Sequence, residues 1–348
     1  MKRYLVWLLL PLLVLATGCR RVADQPVDTG NLALAVGGVV SGPLAVTHGG
    51  VGSPPEWAPL TQQAADSACR RLTTTDDALD GALAGTVFME NIPIFNAGTG
   101  ANIRLDGKTI QMDAALMTSG GEFAAVAVIE RVRNPILVAR KVLDTPHRML
   151  AGDGATRFAH VMGFADVVPT CPEAEAKFHK RWQRLLAGEA GGGYDRFDWR
   201  RAWNFPGPLP AEAAAGAGPA GPETGDTVGT VTRAADGTFA VTLSTGGTSI
   251  TLDGRVGDVP IYGCGSYAGP AGAVACTGHG EEIIRQMQAR TVYNLMAGGL
   301  SARQAVARAA ASFPSEWSVG IIAVDRDGWG VAANRQMAYG VAAEEGAR

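Results

Sequence analysis

The sequence is short of charge: Asp, Glu, Lys and Arg make up 18% of its 348 residues, and the formal net charge is −3. With no basic excess there is no electrostatic footprint for nucleic acid, and that class of partner is excluded. Cysteine is scarce too, five in all, with no two in C-x-x-C spacing. Cys276-x-x-His279 has a metal-like spacing, yet no second ligand pair stands near it, so a structural zinc site is not expected. Long apolar runs are also missing. The most apolar stretch, Tyr4 to Ala16, is shorter than the roughly 20 residues that a membrane-spanning helix requires. What remains is a globular composition, 47% hydrophobic, long enough for one large domain or two ordinary ones.

The first residues combine a basic start at Lys2 and Arg3, the apolar run, and small residues before Cys19. That is the pattern of a secretory signal. Ala16-Thr17-Gly18-Cys19 resembles a bacterial lipobox, in which the cysteine is acylated and becomes the mature N-terminus; ordinary cleavage near Gly18 is the alternative. The expectation is an exported protein, periplasmic or anchored to a membrane by lipid at Cys19. An oxidising compartment permits disulfides among Cys69, Cys171, Cys264 and Cys276, but neither count nor spacing fixes a pairing.

After a lead of polar and small residues, AVTHGGVGSPP at Ala45 to Pro55 predicts a strand ending in glycines. Helical spacing predicts helices over Leu60–Leu72 and Asp76–Met89, the second with Asp76 as N-cap. EFAAVAVIERV reads as a buried strand and NPILVARKVLD as a helix with Pro135 in its first turn. From Cys171 to Asp226 the pattern dissolves: the aromatic and basic patch KFHKRWQRLL is a solvated or helical lead-in, followed by AGGGYDR and by FPGPLPAEAAAGAGPAGPE, which is flexible by composition. Order returns with two hairpins, TVGTVTR/TFAVTLST around Ala235-Asp236-Gly237 and VGIIAVD/WGVAAN around Arg326-Asp327-Gly328. Between them lie the strand AVACTG, a helix over EEIIRQMQARTVYNLMA, and a second helix with Ser301 and Gln304 in capping-box positions. Elements in blocks rather than strict alternation predict largely antiparallel sheets with helices packed on them.

A turn centred on Asp236 sets Thr227 opposite Thr245, each nine positions away. Directly opposed residues on one face have Cβ atoms roughly 4.5 to 5.5 Å apart, close enough for two hydroxyls to interact. A bulge at Gly237 would shift this register by one, and by itself the pair reads as a Thr–Thr cross-strand contact common in any β-protein. Just beyond, RVGD brings Arg255 and Asp258 into one Gly-containing loop, a pair able to hold the carboxylate and ammonium of a zwitterion, or simply a surface ion pair. CTGHGEEIIR ends a strand at Thr277-Gly278 and opens a helix, a junction whose N–H groups favour a developing oxyanion. Other chemistries fit less well. GCGSYAG at Gly263 to Gly269 departs from G-x-S-x-G at Cys264, and GTGANI lacks the last Gly of a dinucleotide fingerprint.

Six motifs stand in order over about 230 residues: HGGVG at His48, FNAGTG at Phe95, DTVGTV at Asp226, STGG at Ser244, GRVGD at Gly254 and CTGHGE at Cys276. In this order they resemble the isoaspartyl peptidase/L-asparaginase family, the plant-type asparaginases, which are N-terminal-nucleophile hydrolases. The resemblance implies an α+β fold, a four-layer αββα sandwich over residues 44–348. It implies self-cleavage between Asp226 and Thr227, giving an α fragment 19–226 and a β fragment 227–348 that stay associated, typically as a dimer of heterodimers. Carried onto this sequence, Thr227 is the nucleophile, Thr245 its hydroxyl neighbour, and Asn96 a supporting residue. Arg255 and Asp258 bind the α-carboxylate and α-amine of the substrate, Thr277 and Gly278 form the oxyanion hole, and Gly280 lines the pocket. No cofactor is required. A structural sodium ion is implied at the main-chain oxygens of Met89, Glu90, Ile92, Phe95, Ala97 and Thr99. The implied reaction is hydrolysis of the β-aspartyl amide of isoaspartyl dipeptides or L-asparagine through an acyl-enzyme. The alternatives are a glycosylasparaginase and an exported binding lipoprotein that keeps the fold without catalysis. TSGG after MDAALM departs from the family pattern near the substrate entrance.

Overall fold

A computed structural model describes residues 30–189, 197–201 and 227–344. The predicted export signal with Cys19, the cleavage-site residue Asp226 and most of the segment before it lie outside these residues. In chain order the strands are β1 (Leu34–Val39), β2 (Leu44–Val51), β3 (Met112–Thr118), β4 (Phe123–Ile129), β5 (Met149–Ala151), β6 (Val228–Arg233), β7 (Phe239–Thr245), β8 (Ser266–Gly269), β9 (Gly272–Gly278), β10 (Val319–Val324), β11 (Gly328–Ala333) and β12 (Met337–Ala343). The helices are α1 (Ala58–Thr75), α2 (Ala78–Glu90), α3 (Pro135–Val142), α4 (Gly152–Val161), α5 (Pro172–Leu186), α6 (Gly280–Gln286), α7 (Gln288–Ala297) and α8 (Ala302–Ala311). None of them is long and apolar enough to cross a membrane.

Strands β12-β2-β6-β7-β3-β4-β5 form a seven-stranded sheet and β1-β11-β10-β9-β8 a five-stranded one. All neighbours are antiparallel except β4 and β5. Helices α1 to α3 lie on the outer face of the larger sheet and α7 and α8 on that of the smaller, while β6 and β7 face β9 across the middle. This is the expected αββα sandwich. The strand side chains alternate accordingly: Leu44, Val46, Val231, Val241 and Leu243 join Ala275, Ile322 and Met337 in the core between the sheets. Residues of opposite parity meet the helices, as where Thr86 of α2 hydrogen-bonds Thr230 and Thr242.

Four expectations need correction. Asp76 does not start α2: α1 runs on to Thr75, and Asp76 closes it in a left-handed conformation (φ 51°), its N–H donating to the Leu72 carbonyl. Asp77 is the N-cap, accepting the Asp80 N–H. Residues 172–186 are not unstructured. Phe178, Trp182 and Leu185, at helical spacing, form a buried stripe on α5, where Trp182 stacks on Phe178 and meets Trp199 edge-on. The long helix predicted over EEIIRQMQARTVYNLMA is broken at Met287 (φ 46°), because the Ala289 and Arg290 N–H groups turn to the carbonyls of Cys264 and Gly263. Finally, β1 adds a strand, paired with β11, in what reads as a small-residue lead.

Candidate active site

The β6–β7 hairpin keeps the expected register without a bulge: Val228 pairs with Ser244, Gly229 with Leu243, Thr230 with Thr242. Continued by one residue, it sets Thr227 opposite Thr245. Both are buried, and by alternation both share the inter-sheet face of Val231, Val241 and Leu243. Thr245 Oγ1 accepts the Gly247 N–H at 2.9 Å, which turns the chain sharply into the STGG loop.

That loop is held from one side by FNAGTG. Asn96 Nδ2 donates to the Gly247 carbonyl (2.7 Å), its Oδ1 accepts the Asn102 N–H (2.9 Å), and its carbonyl accepts the Gly246 N–H (3.0 Å). A Cβ on Gly246 would stand 2.6 Å from Asn96 Oδ1, so this contact tolerates only glycine. Asn96 thus supports the Thr245 loop. The preceding turn is anchored by Glu90, fully buried. Burial pushes its carboxyl up to about 7, opposed by hydrogen bonds from Ser244 Oγ, Asn134 Nδ2 and the Ile136 N–H.

The five-stranded sheet supplies the facing wall. Thr277, on β9, is fully buried, and its Oγ1 accepts the Val51 N–H (3.3 Å), joining CTGHGE to the end of HGGVG. Gly278 has φ 139°, and a Cβ there would collide with the Ser318 carbonyl. His279 caps α6 and stacks on Trp317 at 3.9 Å, which fixes where the helix begins.

Arg255 and Asp258 meet this wall at Gly280: a Cβ on Gly280 would lie 2.8 Å from Arg255 Nη2 and 3.1 Å from Asp258 Oδ1. On the other side, a Cβ on Gly247 would lie 3.6 Å from Arg255 Nη1. The guanidinium therefore bridges the STGG and CTGHGE loops. Arg255 makes a two-pronged ion pair with Glu281, through Nε (3.0 Å) and Nη2 (2.9 Å). Glu281 stands in the CTGHGE motif, but sequence reasoning gave it no role; an acidic residue one position past the pocket glycine was the available signal. The RVGD loop is fixed from beneath by buried Arg104, whose Nη2 donates to the Arg255 carbonyl (3.0 Å), and by Asp113, which accepts the Gly257 N–H (3.4 Å).

His48 also enters the site, although sequence reasoning used it only as part of a motif. It is fully buried on β2, opposite Gly229. Burial pushes its imidazole down to about 3, with the Thr227 main chain opposing. Between pH 6.5 and about 3 the unfolded chain binds a proton that the folded protein refuses, so this stability is complete above pH 6.5 and drains away on acidification. The limiting slope is about 1.4 kcal/mol per pH unit. Thermal unfolding of the wild type is expected to fall more steeply between pH 6 and 4 than that of His48→Gln; parallel slopes would contradict the assignment.

Cys69, Cys171, Cys264 and Cys276 are all buried free thiols. Burial pushes Cys264 up to about 11 and Cys276 well above the ordinary thiol range, so neither supplies a thiolate nucleophile beside Asp258.

Comparison with known proteins gives the same direction. A family model described as "Asparaginase" matches residues 44–348. A plant-type L-asparaginase from Pyrococcus abyssi is 39% identical over 272 residues, 75% of this chain and 82% of that protein. An isoaspartyl peptidase from Salmonella typhimurium is 38% identical over 76% of this chain and 79% of its own length. An N(4)-(beta-N-acetylglucosaminyl)-L-asparaginase from Elizabethkingia miricola is 32% identical over 68% of this chain and 62% of its own length.

Proposed function

The chain belongs to the asparaginase family, and from that membership we propose that it is a threonine hydrolase that activates itself by cutting before Thr227 and then releases L-aspartate from β-aspartyl amides. The observation that carries this reading is the hairpin register, which sets a buried Thr227 against Thr245 on the inter-sheet face, next to a loop bearing Arg255 and Asp258.

In maturation, Thr227 Oγ1 attacks the Asp226 carbonyl carbon, the peptide C–N bond breaks, and an ester links Asp226 to the threonine oxygen. Water hydrolyses that ester, leaving fragments 19–226 and 227–348 and a new α-amine on Thr227. The amine is the point of the cut: a threonine hydroxyl is a weak nucleophile, and an α-amine of pKa about 7.7 to 8.0 is a base suited to neutral pH. In turnover this amine takes the Oγ1 proton as the oxygen attacks the substrate's side-chain carbonyl. Thr277 and Gly278 stabilise the oxyanion, the leaving amine departs with the proton, and water hydrolyses the aspartyl ester on Thr227 to free aspartate. Thr245 hydrogen-bonds the nucleophile, and Asn96 holds the loop that carries Thr245. Arg255 binds the substrate's α-carboxylate, Asp258 its α-ammonium, and Gly280 leaves room for both.

A sodium ion suits the turn after α2. The carbonyls of Ile92, Phe95 and Ala97 each accept one main-chain N–H and keep a second lone pair, the Met89 carbonyl accepts the Asn91 and Ile92 N–H groups, and oxygens of Glu90 and Phe95 crowd the space that a Cβ on Gly98 or Gly100 would fill. With Thr99 these six residues would hold the ion and stiffen the loop that carries Asn96. The associated fragments would assemble as a dimer of heterodimers, and the N-terminal signal would deliver the protein to the periplasm, with Cys19 as lipid anchor.

The likeness to an N(4)-(beta-N-acetylglucosaminyl)-L-asparaginase favours a second substrate, glycosylated asparagine, which presents the same carboxylate and ammonium. A panel of β-aspartyl dipeptide, asparagine and glycosylated asparagine, with released aspartate measured, tests the function and ranks the leaving groups. Aspartate from the dipeptide or asparagine is expected; binding without release from any of the three would mean a non-catalytic binding protein.

A further inference from the structure

His48 is a buried polar side chain without a hydrogen-bond partner. Its ring is fully buried, and neither Nδ1 nor Nε2 reaches a partner at bonding geometry among the described residues. Buried polar groups are nearly always hydrogen-bonded, because an orphan costs about 1–3 kcal/mol. A core position between two sheets would be filled more stably by leucine or phenylalanine.

The surroundings say what the ring is for. His48 pairs with Gly229 across β2 and β6, and a Cβ on Gly229 would stand 2.5 Å from Nε2. The ring therefore occupies the space that a side chain on Gly229 would need. Thr227 stands two residues before Gly229, just ahead of β6 and on the same face. The Thr227 main chain acts on the ring as an acceptor does, favouring the protonated nitrogen. Leu243 closes the far side, its Cδ2 also 2.5 Å from a Cβ on Gly229, so the ring has little freedom to turn away.

We propose that His48 is a positioning residue for Thr227: as a neutral imidazole it donates one N–H to the Thr227 carbonyl and fixes the Cα, so that Oγ1 and the α-nitrogen stay aligned through cutting and turnover. This rests on the reading of Thr227 as nucleophile. A neutral donor suits the task. It leaves the amine of Thr227 unengaged and adds no positive charge that would depress the amine's basicity. The bond belongs to the reacting site, in cutting as in turnover; at rest neither ring nitrogen is at bonding geometry.

The test compares full-length His48→Gln, which keeps an N–H donor, with His48→Phe, which keeps the bulk. Precursor cutting is timed after in vitro translation, and kcat and KM are measured on mature protein with a β-aspartyl dipeptide. His48→Gln is expected within about threefold of wild type, whereas His48→Phe slows both cutting and kcat about tenfold or more, the effect of one lost hydrogen bond, with KM within about twofold. A Phe variant as fast as wild type, or Gln and Phe variants slowed alike in proportion to their loss of thermal stability, would overturn the proposal. Should the Phe variant not fold, His48→Leu against His48→Asn makes the same comparison. Thr227→Ala separates the two ideas: if it is still cut and active, the reading of Thr227 fails, whereas an inert Thr227→Ala beside a normal His48→Phe defeats only the role of His48.

Discussion

Thr227→Ala is expected to remain a single uncut chain and to release aspartate at least about 10⁴-fold more slowly than the wild type, the scale of losing a covalent nucleophile. Two functions vanish with one hydroxyl, because the atom that cuts the chain is the atom that attacks the substrate. The fold should be unaffected. Thr227 is buried immediately before β6, and removing its hydroxyl and γ-methyl while keeping the Cβ costs about 2 kcal/mol, so the thermal midpoint moves by several degrees at most. Thr227→Ser should restore both cutting and turnover in part, since the hydroxyl and the amine that follows from cutting are retained. An Ala variant that is processed at the same bond would show that another group performs the cut.

Replacing Arg255 by leucine is expected to lower kcat/KM by about 10² to 10³-fold, chiefly through KM, by equal factors for β-aspartyl dipeptide and asparagine. Both substrates present the same α-carboxylate to the guanidinium, so the loss should not depend on the leaving group. Stability decides the interpretation. The side chain of Arg255 is 16% exposed and that of its partner Glu281 is 57% exposed. An ion pair with one partner that open to solvent contributes about 0–1 kcal/mol. Removing it leaves Glu281 hydrated rather than stranded, so a large loss of activity with a small change in melting temperature isolates substrate binding. Arg255→Lys should recover only part of the loss, because an ammonium cannot bridge the STGG and CTGHGE loops as the planar fork does. Losses that differ tenfold between the two substrates would place Arg255 on the leaving-group side instead.

Much of this was legible from residues whose spacing carries geometry. A turn at Asp236 with alternating β-branched residues on both sides fixed the register, and the structure keeps it to the residue from Val228 to Arg233. STGG and FNAGTG read as separate loops; only the fold reveals that Asn96 ties one to the other through Gly247. Glu281 as a partner of Arg255 was not legible: it arrives from the start of α6, far along the chain from RVGD, while Asp258 lies against Gly265 and Gly280. His48 was hidden for a different reason. Nothing in HGGVG tells whether its ring faces helix or sheet until the pairing with Gly229 is known. Helix α5 stayed open between a solvated and a helical lead-in because basic residues interleave its apolar stripe, and the buried face of Phe178, Trp182 and Leu185 shows only at helical spacing.

Activation depends on one bond, the peptide bond between Asp226 and Thr227. The mass and N-terminal sequence of the purified protein, resolved on a denaturing gel, test it most directly. The prediction is a smaller fragment that begins TVGTV and runs from Thr227 to Arg348. An intact chain that persists and yet releases aspartate from a β-aspartyl dipeptide would contradict it.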